Sequence, residues 1–284
     1  MKTIKYFFES IFIYISFILI KIMGISVSRK IFSFIFKTLG PIFRKNKIID
    51  ENLAKYKNSI PLNQKENIKS NMWSNYGMVF VEYIFLKRFR ENKEHISVSG
   101  EENLHKVLNK RKPVIFVSGH FANFELMSME ITKRDIKLAT IYRPLNNFFI
   151  NPLMEYLRKK YICNNQIKKG INGVRDSIIF LKRGYSIALM IDQRVSEGEK
   201  IDFFGFPALT TTLPAQLAIK YNLSIIPVFI ERYEEKNFKL EFLKEINTSD
   251  FKDKLELTKK LNNVLEKMIS KNPNQWIWTH NRWK

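Results

Sequence analysis

The hydrophobic pattern from residue 113 onward alternates between short apolar runs and longer amphipathic stretches. Residues 114–118 and 186–191 are almost wholly apolar, as is typical of strands covered on both faces, and residues 224–230 follow the same pattern. The stretches between and after them have apolar residues at helical spacing. They predict helices over residues 123–133, 147–160, 173–183, 213–221 and 254–270.

Two more strands complete this pattern. One is predicted over residues 137–142, and the alternation in residues 238–242 predicts an edge strand. Strands that alternate with helices of this length predict βαβ units. The fold class expected is therefore α/β, with a mostly parallel central sheet flanked by helices.

The first 43 residues have a different, nearly continuous apolar pattern. Residues 6–23 correspond to about five turns of helix with only four polar residues, which is near the shortest length that spans a bilayer. No small-residue cleavage site follows, so we predict an uncleaved anchor. Residues 31–43 are too short to span and predict a helix lying in the membrane interface. Two core helices of a soluble protein are the alternative.

This division predicts two parts of the chain. Residues 1–43 form a membrane anchor and interfacial helix, and residues 44–284 form the folded domain. Lysine and arginine flank the apolar anchor segment on both sides, so charge alone leaves the orientation of the anchor open.

Composition adds a strong excess of positive charge. There are 48 Lys and Arg residues against 27 Asp and Glu residues, which gives a net charge of +21 and predicts an anionic partner. The charge is dispersed over helices and no nucleic-acid-binding signature is present, so we expect no nucleic acid partner. The one cysteine, Cys163, excludes an intramolecular disulfide and a multi-cysteine zinc site.

Polar residues collect where the predicted strands end. His120 follows the first strand, Arg143 follows the second, and Asp192 follows the third. In an open α/β sheet the crevice outside the carboxyl ends of the strands is the usual binding site. These side chains are therefore expected to converge.

His120 and Glu125 lie five residues apart in this region. If the helix begins near Asn123, Glu125 can fold back and hold one imidazole nitrogen, leaving the other to take a proton from a hydroxyl. Gly-x-Ser-x-Gly is absent, so direct attack by a substrate hydroxyl fits better than a covalent acyl-enzyme. Taken alone, the pair has an alternative: a capping histidine and a glutamate that interacts with the helix dipole.

Five segments together resemble a known family. They are Gly-His-Phe-Ala-Asn-Phe-Glu at 119–125, Tyr-Arg-Pro-Leu-Asn-Asn at 142–147, Asp-Gln at 192–193, and residues 203–215 and 275–284. In this order they resemble the lipid A biosynthesis acyltransferases, the late or secondary acyltransferases of Gram-negative bacteria, of the lauroyl or myristoyl type. The resemblance covers nearly the whole chain, including the apolar anchor.

The resemblance implies a glycerolipid-acyltransferase-like fold and a specific reaction. A fatty acyl chain would pass from acyl carrier protein to a hydroxyl of a lipid A precursor, in lipopolysaccharide biosynthesis. The enzyme would lie at the bacterial inner membrane, against its anionic lipids, with the catalytic domain facing the cytoplasm. His120 would act as general base and Glu125 would orient it. Neither a metal nor an organic cofactor is expected.

Several arginines are candidates for substrate binding. Arg143 and Arg175 lie at or near strand ends, where a guanidinium can bind the phosphates of lipid A or of a phosphopantetheine arm. Arg158 is a third candidate, although an arginine beside Lys159 and Lys160 is also typical of a solvated helix face.

The remaining candidates have two interpretations each. Asp192 follows a buried strand and is either the orienting partner of an arginine or histidine, or a turn acceptor. Thr211 precedes Leu213-Pro214 and either opens a helix or holds an anion there. Asn123, inside the first family segment, is a further substrate-binding candidate. Trp276, Trp278, His280 and Trp283 predict an interfacial or packing cluster.

Two alternative functions stay open. A related membrane acyltransferase could act on a lysophospholipid or another glycolipid, although such glycerolipid enzymes usually have Asp at the place of Glu125 and a Gly-Thr-Arg motif, which this sequence lacks. Outside enzymes, a basic membrane-binding protein would account for the charge. Neither the length of the acyl chain nor the acylated hydroxyl is predicted by the sequence.

Overall fold

A seven-stranded sheet forms the centre of the protein in the computed structural model, which describes residues 2–43, 46–57 and 60–284. Neighbouring strands are parallel except for one antiparallel pair, β8 with β9. Across the sheet the strands are β1 (Ile96–Ser99), β9 (Asn237–Phe242), β8 (Ser224–Tyr233), β2 (Val114–Ser118), β5 (Ser186–Met190), β3 (Leu138–Tyr142) and β4 (Asn165–Lys168). The predicted α/β class is confirmed.

Helices connect and cover these strands, and a small antiparallel hairpin, β6 (Glu199–Phe203) with β7 (Phe206–Thr210), stands apart from the main sheet. The helices are α1 (Lys2–Phe43), α2 (Asn46–Tyr56), α3 (Leu62–Glu82), α4 (Leu86–Glu91), α5 (Glu101–Leu108), α6 (Glu125–Thr132), α7 (Asn151–Tyr161), α8 (Ile171–Lys182), α9 (Leu213–Tyr221) and α10 (Lys254–Lys271).

The strand predicted at residues 238–242 is not at an edge. β9 lies between β8 and β1, and its residues Phe238, Leu240 and Phe242 are fully buried. The prediction of an edge strand is wrong because β1 adds a further parallel strand outside it. Among the described strands, β1 and β4 are the two at the edges of the sheet.

The N-terminal helix α1 is interrupted at Gly24, whose backbone has φ 76° and ψ 165°. The break falls between the two segments predicted at residues 6–23 and 31–43. Glycine suits this position because it adopts positive φ at little cost. On one side α1 buries Phe17, Ile20 and Phe32 in the same hydrophobic core as the sheet.

The other side of α1 is apolar and exposed. Phe8, Phe12 and Ile22 are among the large hydrophobic residues that it presents to the surroundings. Within the described part of the chain, one helix, Lys2–Ile42, is long and apolar enough to cross a membrane. This surface is consistent with membrane association, and the division into residues 1–43 and 44–284 stays a prediction.

A buried ion cluster ties α1 to the sheet. The Glu82 carboxylate at the end of α3 accepts hydrogen bonds from Arg29 Nε at 2.8 Å, Arg232 Nη2 at 3.0 Å and Asn123 Nδ2 at 2.9 Å. Burial alone would raise the pKa of Glu82, but Arg232 and Arg29 hold it below its usual value. The cluster fixes α1, β8 and the chain just after β2 relative to one another.

Candidate active site

His120 and Asp192 meet because β2 and β5 are neighbouring parallel strands. Ile191 donates its backbone N–H to Ser118 O at 2.9 Å, which continues the strand pairing to the point where both chains turn. His120 Nδ1 is 2.7 Å from Asp192 Oδ1, and the His120 backbone N–H donates to Oδ2 at 2.8 Å. The expected convergence of polar groups at the carboxyl ends of the strands is confirmed for this pair.

Asp192 is fully buried and is bound by a third donor, Trp276 Nε1, at 2.8 Å from Oδ2. Burial alone would raise its pKa, but the His120 ring, the His120 backbone N–H and the Trp276 N–H hold the pKa below its usual value. Asp192 is therefore an ionised acceptor, so His120 Nδ1 carries the proton. Nε2 is then the nitrogen that can accept a proton from a hydroxyl.

The turn that carries His120 has a constrained backbone. A Cβ at Gly119 would lie 2.7 Å from the Phe121 ring, so the close approach requires glycine. Ala122 has φ 44°, in the left-handed region, and donates its N–H to Gln275 O at 3.2 Å. Phe121 also forms an isolated β-bridge with Trp276. Gln275 and Trp276 in the C-terminal segment therefore contact both the His120 turn and the Asp192 carboxylate.

His120 opens onto a cavity of about 620 Å³. The His120 side chain keeps 18% of its surface exposed. The wall has an apolar part and a cationic part, which suits a substrate with a hydrocarbon chain and anionic groups. The apolar wall includes Phe124, Ile141, Ile162, Leu189, Val195, Leu213 and Ile277, and the cationic wall includes Arg143, Arg158 and Lys169.

Glu125 does not hold the imidazole, contrary to the interpretation of the sequence. Its carboxylate accepts from Arg158 Nε at 2.7 Å and from the Tyr83 hydroxyl at 2.7 Å. The reason is that α6 begins at Glu125, so its side chain projects toward α7 and toward Tyr83, which follows α3, while Asp192 already occupies His120 Nδ1. The carboxylate that contacts His120 Nδ1 is that of Asp192. Asp192 was also predicted to bind substrate, but it is fully buried and is not among the described residues that line the cavity.

The Glu125 ion pair forms part of the cavity wall. Burial raises the pKa of Tyr83, and the neighbouring Glu125 carboxylate raises it further. Burial alone would lower the pKa of Arg158, but Glu125 raises it above its usual value. Arg158 is therefore a cation already paired with a carboxylate, and not a solvated helix residue.

The other predicted residues divide between the cavity and its surroundings. Arg143 and Thr211 line the cavity, and Thr211 Oγ1 also accepts from the Leu213 N–H at 3.3 Å at the start of α9. Asn123 is buried behind the turn, where it donates to Glu82, so it does not face the cavity. Arg175 is exposed on α8, outside the described residues that line the cavity.

Three residues of the site were not assigned to it from the sequence. Lys169 lines the cavity just after β4. A prediction of β4 would have placed Lys169 at a strand end and so among the candidate site residues. Trp276 reaches Asp192 across 84 residues, a contact with no sequence pattern. His280 lines the cavity and accepts the Arg194 N–H at 2.9 Å on Nε2, and burial lowers its pKa to about 4.

The terminal aromatic cluster is confirmed as a packing cluster. Trp276 and Trp278 are buried, with ring centroids 4.6 Å apart in an edge-to-face arrangement. Trp283 lies 5.4 Å from the Phe203 ring, on the β6–β7 hairpin. The packing of these rings holds the Trp276 N–H against Asp192.

A model of a bacterial lipid A biosynthesis acyltransferase family matches residues 1–284. The chain belongs to this family. The lipid A biosynthesis palmitoleoyltransferase of Escherichia coli (strain K12) is 23% identical over 228 residues, covering 78% of this chain and 72% of that protein. The lipid A biosynthesis acyltransferase of Haemophilus influenzae is 23% identical over 260 residues, covering 89% of this chain and 82% of that protein.

Among solved structures, the 1-acyl-sn-glycerophosphate acyltransferase of Thermotoga maritima aligns with 89% of this chain and 100% of its own, at a TM-score of 0.44 and 13% identity. Family membership supports an enzyme that performs acyl transfer in lipid A biosynthesis, with a lipid A precursor as its substrate.

Proposed function

We propose that the protein transfers a fatty acyl chain from acyl carrier protein to a hydroxyl of a lipid A precursor, in lipopolysaccharide biosynthesis. The observation that carries this proposal is the His120–Asp192 pair, held at 2.7 Å, which leaves Nε2 to act in a cavity with apolar and cationic walls. A general base beside a site that can hold both a hydrocarbon chain and phosphates fits acyl transfer to a phosphorylated glycolipid.

This geometry supports the following reaction. His120 Nε2 takes the proton of the acceptor hydroxyl, and the Asp192 carboxylate stabilises the imidazolium that forms. The acceptor oxygen attacks the thioester carbonyl and forms the new ester bond. When the carbon–sulfur bond breaks, the imidazolium returns the proton to the carrier's thiolate. No residue of the enzyme needs to be acylated, in keeping with the absence of a nucleophile motif.

Arg143 and Lys169 are the cations we assign to the anionic groups of the substrates. Both line the cavity and both are exposed, whereas Arg158 is already bound by Glu125. A guanidinium matches a phosphate with two parallel hydrogen bonds, and an ammonium adds a point charge. In this proposal Glu125 shapes the wall by holding Arg158.

We place the enzyme at the bacterial inner membrane, against anionic lipids, with its catalytic domain facing the cytoplasm. The exposed apolar face of α1 and the net charge of +21 support a membrane position. The cytoplasmic orientation is part of the proposal because acyl carrier protein is a cytoplasmic donor.

The test is transfer by the purified full-length protein, with an acyl carrier protein thioester as donor and a lipid A precursor as acceptor, followed by mass spectrometry of the product. His120→Ala is expected to lower kcat about 100-fold to 10,000-fold, because the general base is lost. His105→Ala, at an exposed position on α5, is the matched control and is expected to transfer at the wild-type rate.

Each other outcome identifies an alternative. Acylation of a lysophospholipid in place of the lipid A precursor would assign the alternative acceptor. Equal rates with a coenzyme A thioester would remove the dependence on acyl carrier protein. Binding to anionic vesicles with no transfer to any acceptor would leave a basic membrane-binding protein.

A further inference from the structure

The loop between β3 and α7 is bound to the first half of α1. This loop, residues 143–150, contributes four consecutive residues, 143–146, to the cavity wall. The Asn147 side chain donates from Nδ2 to Tyr6 O at 2.9 Å, and the Tyr14 hydroxyl donates to Phe149 O at 2.9 Å. Two hydrogen bonds, across 141 and 135 residues, therefore connect the apolar helix to one wall of the cavity.

Aromatic contacts extend the same attachment. The Tyr6 and Phe148 ring centroids are 6.3 Å apart, and those of Phe7 and Phe149 are 5.7 Å apart. Phe148 nevertheless keeps 52% of its surface exposed. Its ring continues the exposed apolar face of α1 onto the loop, so helix and loop form one apolar surface next to the cavity.

The extent and composition of this surface indicate what covers it. The large apolar residues that α1 exposes run from Ile4 to Ile42, far beyond the scattered apolar side chains of an ordinary soluble surface. Lys2 and Lys5 lie at its N-terminal end, as is typical of segments whose apolar face lies in lipid and whose cations meet headgroups. A lipid bilayer is the partner that fits an apolar surface of this length.

We propose that the first half of α1 and the residue 143–150 loop lie together against the bilayer, so that the cavity opens directly beside the lipid. Tyr14 and Asn147 are then positioning residues: they fix the cavity wall relative to the membrane-bound helix. The acceptor lipid can present its headgroup to His120 while its remaining acyl chains stay in the bilayer. This last consequence rests on the proposed function, whereas the membrane contact of the loop does not.

The membrane contact is tested without measuring catalysis. Cys163 is buried, and burial raises the pKa of its thiol, so a new surface cysteine can be labelled selectively. An environment-sensitive fluorophore is attached to the new cysteine in Phe148→Cys. The matched control is the same fluorophore in Leu255→Cys, at a leucine on α10 that is 42% exposed. The full-length protein is reconstituted in vesicles of phosphatidylethanolamine and phosphatidylglycerol.

We expect the label at residue 148 to shift to the blue and to be quenched by lipids brominated on their acyl chains, with no such change at residue 255. A label at residue 148 that stays as water-exposed as the control would overturn the membrane contact. If Phe148→Cys does not fold, a label at Leu145→Cys is used, and because Leu145 also lines the cavity, only its quenching by the brominated lipids is compared with the control.

The positioning role is tested with Tyr14→Phe combined with Asn147→Asp, which removes both hydrogen bonds to α1 but changes no residue that lines the cavity. Aspartate keeps an oxygen that can accept the Phe149 N–H within the loop. We expect KM for a vesicle-embedded acceptor to rise about threefold to tenfold. KM for the acyl donor and kcat are expected to stay within about twofold. Tyr156→Phe, at an exposed tyrosine whose hydroxyl binds Lys160, is the matched control.

Two results would count against this role. An unchanged acceptor KM in the double variant would show that the loop needs no attachment to α1. An equal rise of KM for an acceptor dispersed as single molecules in detergent would show a general loss of binding, with no link to the bilayer. Absence of any transfer by the wild-type protein would instead contradict the proposed function and leave the fluorescence result standing.

Discussion

Glu125 and Arg158 form an ion pair in the wall of the cavity, with Arg158 Nε 2.7 Å from Glu125 Oε1 and Nη2 2.6 Å from the same oxygen. Tyr83 donates a further hydrogen bond to that oxygen. The glutamate that follows His120 by five residues therefore stabilises the position of a cation on α7. The carboxylate that contacts His120 Nδ1 is that of Asp192, just after β5.

Removing Arg158 should destabilise the protein more than removing both partners. Arg158→Met leaves the Glu125 carboxylate buried without its cation, and we expect the free energy of unfolding to fall by about 3 kcal/mol. The double variant with Glu125→Leu is expected to recover at least half of this loss. Urea unfolding in detergent measures both. Equal losses in the single and double variants would show that the charge pairing contributes little.

The Asp192 carboxylate should control the protonation of His120. In Asp192→Asn the amide NH₂ can donate to Nδ1, which places the proton on Nε2 and removes the base. We expect kcat to fall about 100-fold to 10,000-fold. Trp276→Phe removes one of the three donors to Asp192 and is expected to lower kcat only about twofold to tenfold.

The effect on kcat separates Asp192 from Glu125. In Glu125→Gln the partners that change are Arg158 and Tyr83, and the contact between His120 and Asp192 is kept. We therefore expect kcat to stay within about tenfold of the wild-type value, against a loss of about 100-fold to 10,000-fold in Asp192→Asn. Equal losses in the two variants would return the orienting role to Glu125.

Acid should destabilise the protein through His280. Its pKa is about 4 in the folded protein, because of burial, against about 6.5 in the unfolded chain. The unfolded state therefore binds the proton first, and stability is lost as the pH falls from about 6.5 to about 4. The loss is at most about 1.4 kcal/mol per pH unit for this one group.

His280→Gln should flatten this part of the stability curve. Glutamine keeps an oxygen that can accept the Arg194 N–H but takes up no proton. Thermal unfolding between pH 7 and pH 4 measures the effect, and His105→Gln, at an exposed position, is the matched control. The same decline in both variants would assign the acid sensitivity to other groups. His95, whose pKa burial also lowers to about 4, would be the next to replace.

The buried cluster around Glu82 should be sensitive to loss of its one carboxylate. Glu82→Gln leaves the guanidinium groups of Arg29 and Arg232 facing each other without a counter-charge, and we expect a loss of about 3 to 5 kcal/mol in unfolding free energy. Lys87→Met, which breaks an exposed pair with Glu91, is the control and is expected to cost under about 1 kcal/mol. Similar values for both would contradict a structural role for the cluster.

The sequence predicted the central strands well because burial on both faces leaves a continuous apolar run. β2 was predicted at its observed bounds, and so was α9, where Pro214 marks the first turn. The short strand β4 was missed because Ile167 is its one buried residue, so it has no such run. Of β1, only the end at Val98 was predicted, together with the helix after it, because β1 buries only part of its surface and also lacks a continuous apolar run.

The sequence predicted those residues of the site that directly follow a predicted strand. His120, Arg143 and Asp192 each follow a strand. Because β2, β5 and β3 are parallel neighbours, the carboxyl ends of these strands lie on the same side of the sheet. The five-residue spacing of His120 and Glu125 wrongly predicted a contact between their side chains. The turn between them is not helical, since Ala122 has φ 44°. A distance along the sequence predicts proximity only if the backbone between the two residues is regular.

The contacts of Gln275 and Trp276 with the His120 turn also join parts of the chain that are synthesised far apart in time. Translation delivers α1 first, then His120 and Asp192, and Trp276 only 84 residues after its carboxylate partner. A nascent chain therefore exposes the apolar helix α1 while the turn still lacks its β-bridge and Asp192 still lacks its third donor. The His120–Asp192 pair can therefore be completed only after the apolar helix α1 has left the ribosome.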